Sequence, residues 1–99
     1  MFETDKSMYM TKAVSEELGN DHQQFIIQYL LENQSILTDY LQVFEFYIEN
    51  DKQWLIQRQE EPSRETTIFV GLENNKPIKR TVWVIDQGNE IVILFPEDY

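Results

Sequence analysis

The stretch Tyr40-Leu-Gln-Val-Phe-Glu-Phe-Tyr-Ile-Glu49, then Asn50-Asp51-Lys52 and Gln53-Trp-Leu-Ile-Gln-Arg-Gln59, decides the fold. Side chains alternate between faces along an extended strand. Residues 40–49 therefore place Phe44, Phe46 and Ile48 on one face and Val43, Glu45, Tyr47 and Glu49 on the other. Branched and aromatic residues of this kind suit a pleated, half-buried surface. Asn50-Asp51-Lys52 reads as a turn, after which Trp54, Ile56 and Arg58 alternate with Leu55, Gln57 and Gln59. Two strands so joined make a hairpin, the start of an antiparallel sheet. With a two-residue loop, Tyr47 and Trp54 pair across it on the outer face.

Working outward, Pro62 interrupts the chain and Thr66–Leu72 reads as a third strand, with Asn74–Pro77 as a loop. Residues 79–86 and 90–95 form a last hairpin around Gln87-Gly88-Asn89, where glycine supplies a positive φ. A short strand is expected at Tyr9–Val14. Phe25, Ile26, Tyr29 and Leu30 recur at the spacing of a helical stripe. Asn20 or Asp21 caps that helix, and Gly19 breaks any helix arriving through Val14–Leu18. The expected fold is α+β: one main helix packed on a mostly antiparallel sheet of about five or six strands. It forms a single domain over 1–99, with residues 1–7 expected to be disordered. Tyr40, Phe44, Phe46, Tyr47, Trp54, Phe69, Trp83 and Phe95 are read as mainly core.

The 99 residues hold no cysteine, which excludes a disulfide framework, a thiolate nucleophile and a cysteine zinc site. No apolar run reaches the roughly 20 residues of a membrane-spanning helix, and the N-terminus lacks signal-peptide features. A cytoplasmic location is expected. The net charge of −10 opposes direct binding to nucleic acid or an anionic membrane and attracts basic partners. It is unevenly distributed, because residues 13–51 carry eight acids and no Lys or Arg.

His22 is the sole histidine and sits in the first helical turn, where the helix dipole disfavours an imidazolium. It reads as a residue packed near Ile26. Zinc spacing, a calcium loop and phosphate-binding glycines are absent, so no catalytic, cofactor or metal residue is assigned. The expected function is that of a non-enzymatic interaction protein with an acidic surface. Glu16, Glu17, Asp21, Asp39, Glu45, Glu49 and Asp51, with Tyr47 as anchor, engage a basic protein partner. In the sharpest form that partner binds nucleic acid and the carboxylates stand in for phosphates, which requires them on one surface. The alternative is a small-ligand or weakly enzymatic domain with a pocket between helix and sheet. Homodimerisation through a sheet edge is compatible with either. Lys76, Lys79 and Arg80 form a small basic patch read as edge-strand protection.

Tyr9-Met10-Thr11 with Val14, Asp39-Tyr-Leu-Gln-Val-Phe-Glu45, Gln59-Glu60-x-Pro62 and Glu97-Asp98-Tyr99 resemble a family of small proteins from low-GC Gram-positive bacteria. This is domain-of-unknown-function family number 960, some of whose members lie on staphylococcal cassette-chromosome elements. The resemblance runs from about residue 8 to the end and is weakest between Thr66 and Lys79. It implies an α+β fold and supplies no catalytic residue. The mobile-element association implies, by analogy, a protein that antagonises DNA-acting host factors.

Overall fold

Asn50 and Asp51 both take positive φ, 53° and 61°, the conformation of a two-residue hairpin turn whose twist suits its flanking strands. The turn is shorter than the sequence suggested, because Lys52 already pairs with Glu49. The register this sets puts Tyr47 opposite Trp54. In the computed structural model, which describes residues 1–3 and 5–99, the chain runs through β1 (Ser7–Met10), α1 (Lys12–Glu17), α2 (Asn20–Glu32), β2 (Leu41–Glu49) and β3 (Lys52–Gln59). It continues through β4 (Arg64–Val70), β5 (Arg80–Asp86) and β6 (Glu90–Leu94), with 3-10 turns at Gln34–Ile36 and Pro96–Asp98. The six strands form one sheet in the order β1-β6-β5-β2-β3-β4, antiparallel except for the β1–β6 pair. The fold is α+β, as the patterning implied.

Two boundaries moved for local reasons. The strand expected at Tyr9–Val14 ends at Met10, because the Thr11 side chain accepts the Val14 N–H and caps α1. The third strand is Arg64–Val70 rather than Thr66–Leu72. Its shift follows from the register with β3, in which Gln59 meets Arg64 and Gln53 meets Val70.

Both helices cover the same face of the sheet. On it, Phe44, Phe46, Leu55, Val82, Val84, Ile91 and Ile93 meet Val14, Leu18, Ile26 and Leu30 in one core. Of the aromatics read as core, Phe44, Phe46 and Phe95 are fully buried. Tyr47, Trp54 and Trp83 are half-buried, while Phe69 and Tyr40 are exposed. They belong to the face or rim that no helix covers.

The inner face of β3 is unusual in composition. Gln53, Gln57 and Gln59, with Gln42 of β2, are all buried beneath the helix layer. A buried amide costs stability unless its donors and acceptors are matched, and here they are matched to one another. Gln57 Nε2 donates to Gln42 Oε1 at 2.7 Å, and Gln42 Nε2 donates to Gln59 Oε1 at 2.7 Å. Gln59 then donates to the Pro62 carbonyl and the Thr38 hydroxyl, and its oxygen accepts the Thr38 N–H. Gln53 imitates a strand residue, accepting the Ile78 N–H at 2.8 Å and donating to the Ile78 carbonyl at 3.0 Å. Its oxygen also accepts from His22 Nε2 at 2.9 Å. That assigns the ring proton to Nε2 and leaves Nδ1 without a partner among the described residues. His22 is therefore a fully buried packing residue, edge-on to Phe46.

In the N-terminal segment, Phe2 is buried, and its N–H donates to the Asp86 carboxylate at 2.8 Å. Lys6 Nζ and the Gly88 N–H bond to the same carboxylate. Burial raises the pKa of that carboxyl, but these donors outweigh it, so Asp86 titrates below the ordinary carboxylate range.

Replacing Gln57 by Leu leaves the Gln42 oxygen buried without its donor. The expected cost is about 1–3 kcal/mol, read as a lower urea midpoint at unchanged slope.

Candidate partner-docking face

Strand alternation and register assign the outer face residue by residue. Tyr47, Trp54 and Phe69 form a row across β2, β3 and β4, since Tyr47 pairs with Trp54 and Trp54 with Phe69. The Trp54 and Phe69 rings meet edge to face, 5.4 Å between centroids. Phe69 is 51% exposed. The next row holds Thr81, Glu45, Ile56 and Thr67, and the one after it Leu94, Trp83, Val43, Arg58 and Glu65. Tyr99, just after the last 3-10 turn, packs edge-on against Trp83 at 5.9 Å. The face thus carries two aromatic groups, separated by polar residues and uncovered by either helix.

Its charges are partly neutralised. Arg58 reaches diagonally across the hairpin to pair with Glu45. Glu49, Asp51 and Glu65 are exposed on or beside the same face, and Glu49 and Asp51 make no side-chain hydrogen bond or ion pair among the described residues. Tyr47, Glu45, Glu49 and Asp51 are therefore brought together, as the strand pattern implied.

The remaining predicted residues lie elsewhere and have other partners. The Asp21 carboxylate accepts the N–H groups of Glu73, Asn74 and Asn75 at 2.9, 2.7 and 2.9 Å. In return the Asn75 side chain accepts the Asp21 N–H at 2.8 Å. The start of α2 and the 73–75 loop thus cap each other, whereas the sequence suggested that Asp21 caps its own helix. Gly19 makes the approach feasible, since a Cβ there would lie 2.5 Å from Asn75 Cγ. The loop N–H groups hold the Asp21 carboxyl below its ordinary range. Asp39 accepts the N–H groups of Glu60 and Glu61. Glu17 shares Arg80 with Glu97, and the guanidinium lies 3.6 Å above the centre of the Phe95 ring. Glu16 is exposed on α1, in the helix layer on the opposite side of the sheet. The acidic stretch is therefore continuous in sequence and divided in space. Arg80 opens a central strand, so it serves as an ion-pair bridge rather than as protection of an edge.

The helix–sheet interface is filled by Ile26, Leu30, Phe44, Phe46, Leu55 and the glutamine amides. A groove of about 430 Å³ lies instead between the first half of α2 and residues 71–74, lined by Asp21, Gln24, Phe25 and Asn74 among others. Among the described residues no cluster of three His, Asp or Glu side chains offers a metal site. No helix among them is long and apolar enough to cross a membrane. The residues the sequence reading missed are Phe69 and Trp83. Their signal was present in the alternation of their strands, but nothing local said which face the helices would cover.

Asp21→Asn tests the mutual cap. A carboxyl whose native pKa is depressed contributes stability above its unfolded pKa, near 4, and that contribution is lost as pH falls through the native value. The variant should melt below wild type at pH 7, with the gap narrowing as the pH falls below the unfolded carboxylate value and closing once it passes the lowered native one, read in thermal scans.

A model of the family described as "Staphylococcal protein of unknown function (DUF960)" matches residues 7–98. A crystal structure of a protein of unknown function from Enterococcus faecalis superposes with a TM-score of 0.86 at 23% identity, covering 99% of this chain and 94% of that one. At that identity the likeness shows the fold. No curated protein matches.

Proposed function

The chain belongs to the DUF960 family of staphylococcal proteins of unknown function, and we propose that it is a non-enzymatic interaction domain that docks a basic protein partner on its outer sheet face. The observation that carries this reading is the uncovered Tyr47–Trp54–Phe69 row. Soluble domains rarely leave contiguous aromatic surface in water unless something binds it, and aromatic side chains dominate the energetics of protein contacts. Glu49, Asp51 and Glu65 around that row, with the net charge of −10, steer a cationic partner toward it.

The internal partners of Glu17, Asp21, Asp39 and Glu45 support this aromatic-centred form over a row of phosphate surrogates. A carboxylate already accepting three backbone N–H groups has little capacity left for a partner's cations. Filling of the helix–sheet interface likewise favours docking over a ligand pocket in the core.

The test is affinity capture from host lysate with wild type and Phe69→Ala. Wild type should retain one or more basic proteins at low salt and lose them at high salt, and the variant should retain less than about a tenth as much. Capture that is equal for both proteins would overturn the reading.

A further inference from the structure

The sheet ends on one side at β4, whose seven residues are paired along their whole length with β3 and, among the described residues, with nothing on the other side. Along an antiparallel strand, alternate residues direct their N–H and C=O groups to opposite neighbours. About half of the β4 backbone groups therefore face outward. Natural edge strands are usually short, charged, bulged or interrupted by proline, because an open edge is a template for pairing. The opposite edge, β1, follows that rule with only four residues. β4 carries charge only at its start, Arg64-Glu65; its remaining five residues, Thr66-Thr67-Ile68-Phe69-Val70, are an uncharged run of strand-forming residues with no proline or glycine.

We propose that β4 pairs with β4 of a second copy, antiparallel and about a two-fold axis beside Ile68. That register is the one that opposes the uncharged run to itself. Thr66 meets the partner's Val70, Thr67 meets the partner's Phe69, and Ile68 meets the partner's Ile68. Pairs of branched and aromatic residues such as these stabilise a sheet. The same register places Glu65 opposite the partner's Gly71, so no acids oppose one another within the paired run. Both outer faces then lie on one side of a continuous sheet, leaving each Tyr47–Trp54 pair accessible. The proposal is independent of what docks on that face.

An edge of seven residues, roughly 23 Å long, buries less than the roughly 1,200 Å² of a standard interface. The dimer is therefore weak, and two chains of net charge −10 repel each other. Self-association should strengthen as salt screens that repulsion, the reverse of binding to a basic partner.

The chain has no cysteine, which allows a register-specific test. Directly opposite residues lie about 4.5–5.5 Å apart between Cα atoms, within the range a disulfide needs. Ile68→Cys should therefore form a covalent dimer on mild oxidation. Thr66→Cys should not, since its two copies would be offset by four residues, roughly 13 Å. Sedimentation equilibrium of the unmodified protein should show mass rising with concentration and with salt. Thr67→Lys, at an exposed position, should weaken that association about tenfold or more with an unchanged melting curve. A protein that stays monomeric up to about 1 mM, well above the range of a weak contact, overturns the proposal. So does a dimer that Thr67→Lys leaves intact, or equal cross-linking of the two cysteine variants.

Discussion

The amide hydrogen bonds that run from Gln57 through Gln42 to Gln59 join β3 to β2 beneath the helix layer and reach the Thr38 and Pro62 backbone. Each amide uses its oxygen and its nitrogen, so removing one member strands the next in a medium where an unmatched polar group is costly. The consequence extends through the sheet. Because the glutamines of β3 must face inward to find partners, Trp54, Ile56 and Arg58 of the same strand must face outward. The register then carries Tyr47 and Phe69 to the outer face beside Trp54. The docking face is thus the reverse side of the buried amide network.

A second constraint acts at the start of α2. Asp21 and Asn75 exchange bonds between the helix terminus and the 73–75 loop, across the close approach that Gly19 permits. Gln53 extends the same tie by bonding both backbone groups of Ile78 and the ring of His22. The link between β4 and β5 is long and contains no regular element, yet side chains that act as backbone partners hold it at both places. Satisfying polar groups in this way lets a loop lie against the core without a ladder of its own.

These ties alter how the acidity is to be understood. Eight acids without a cation between residues 13 and 51 look like one electrostatic feature in the sequence. In the fold, Glu17 and Glu45 find arginines from beyond residue 51, and Asp21 and Asp39 find backbone N–H groups there as well. The middle of the chain supplies what the first half lacks. What stays free is a smaller set, of which Glu49 and Asp51 border the aromatic row and Glu16 belongs to the helix layer. Charge then guides an approach, while the rings define where contact is made.

The sequence by itself determined the elements. Strict alternation from Val43 to Glu49, the Asn50-Asp51 turn, the Phe25–Leu30 stripe and the break at Gly19 are local signals, and each reports on its own few residues. They were enough for the α+β class, the main helix, the hairpins and the grouping of Glu45, Tyr47 and Glu49. The start of the short helix α1 was not legible, because its cap, Thr11, lay inside a run that also suited a strand. Only the tertiary structure decided which face of β3 is buried. Hydropathy alone favours burying Trp54 and Ile56 over Gln57 and Gln59, and the choice was reversed by amide partners on β2 and on the loops around it. Those partners are distant in the chain, so no local window contains the information. The same reason explains why Asp21, read as a helix cap, became the anchor of a loop more than fifty residues away. Local sequence sets how a segment is shaped, but a polar group goes where its partner is, and that is known only once the chain has folded.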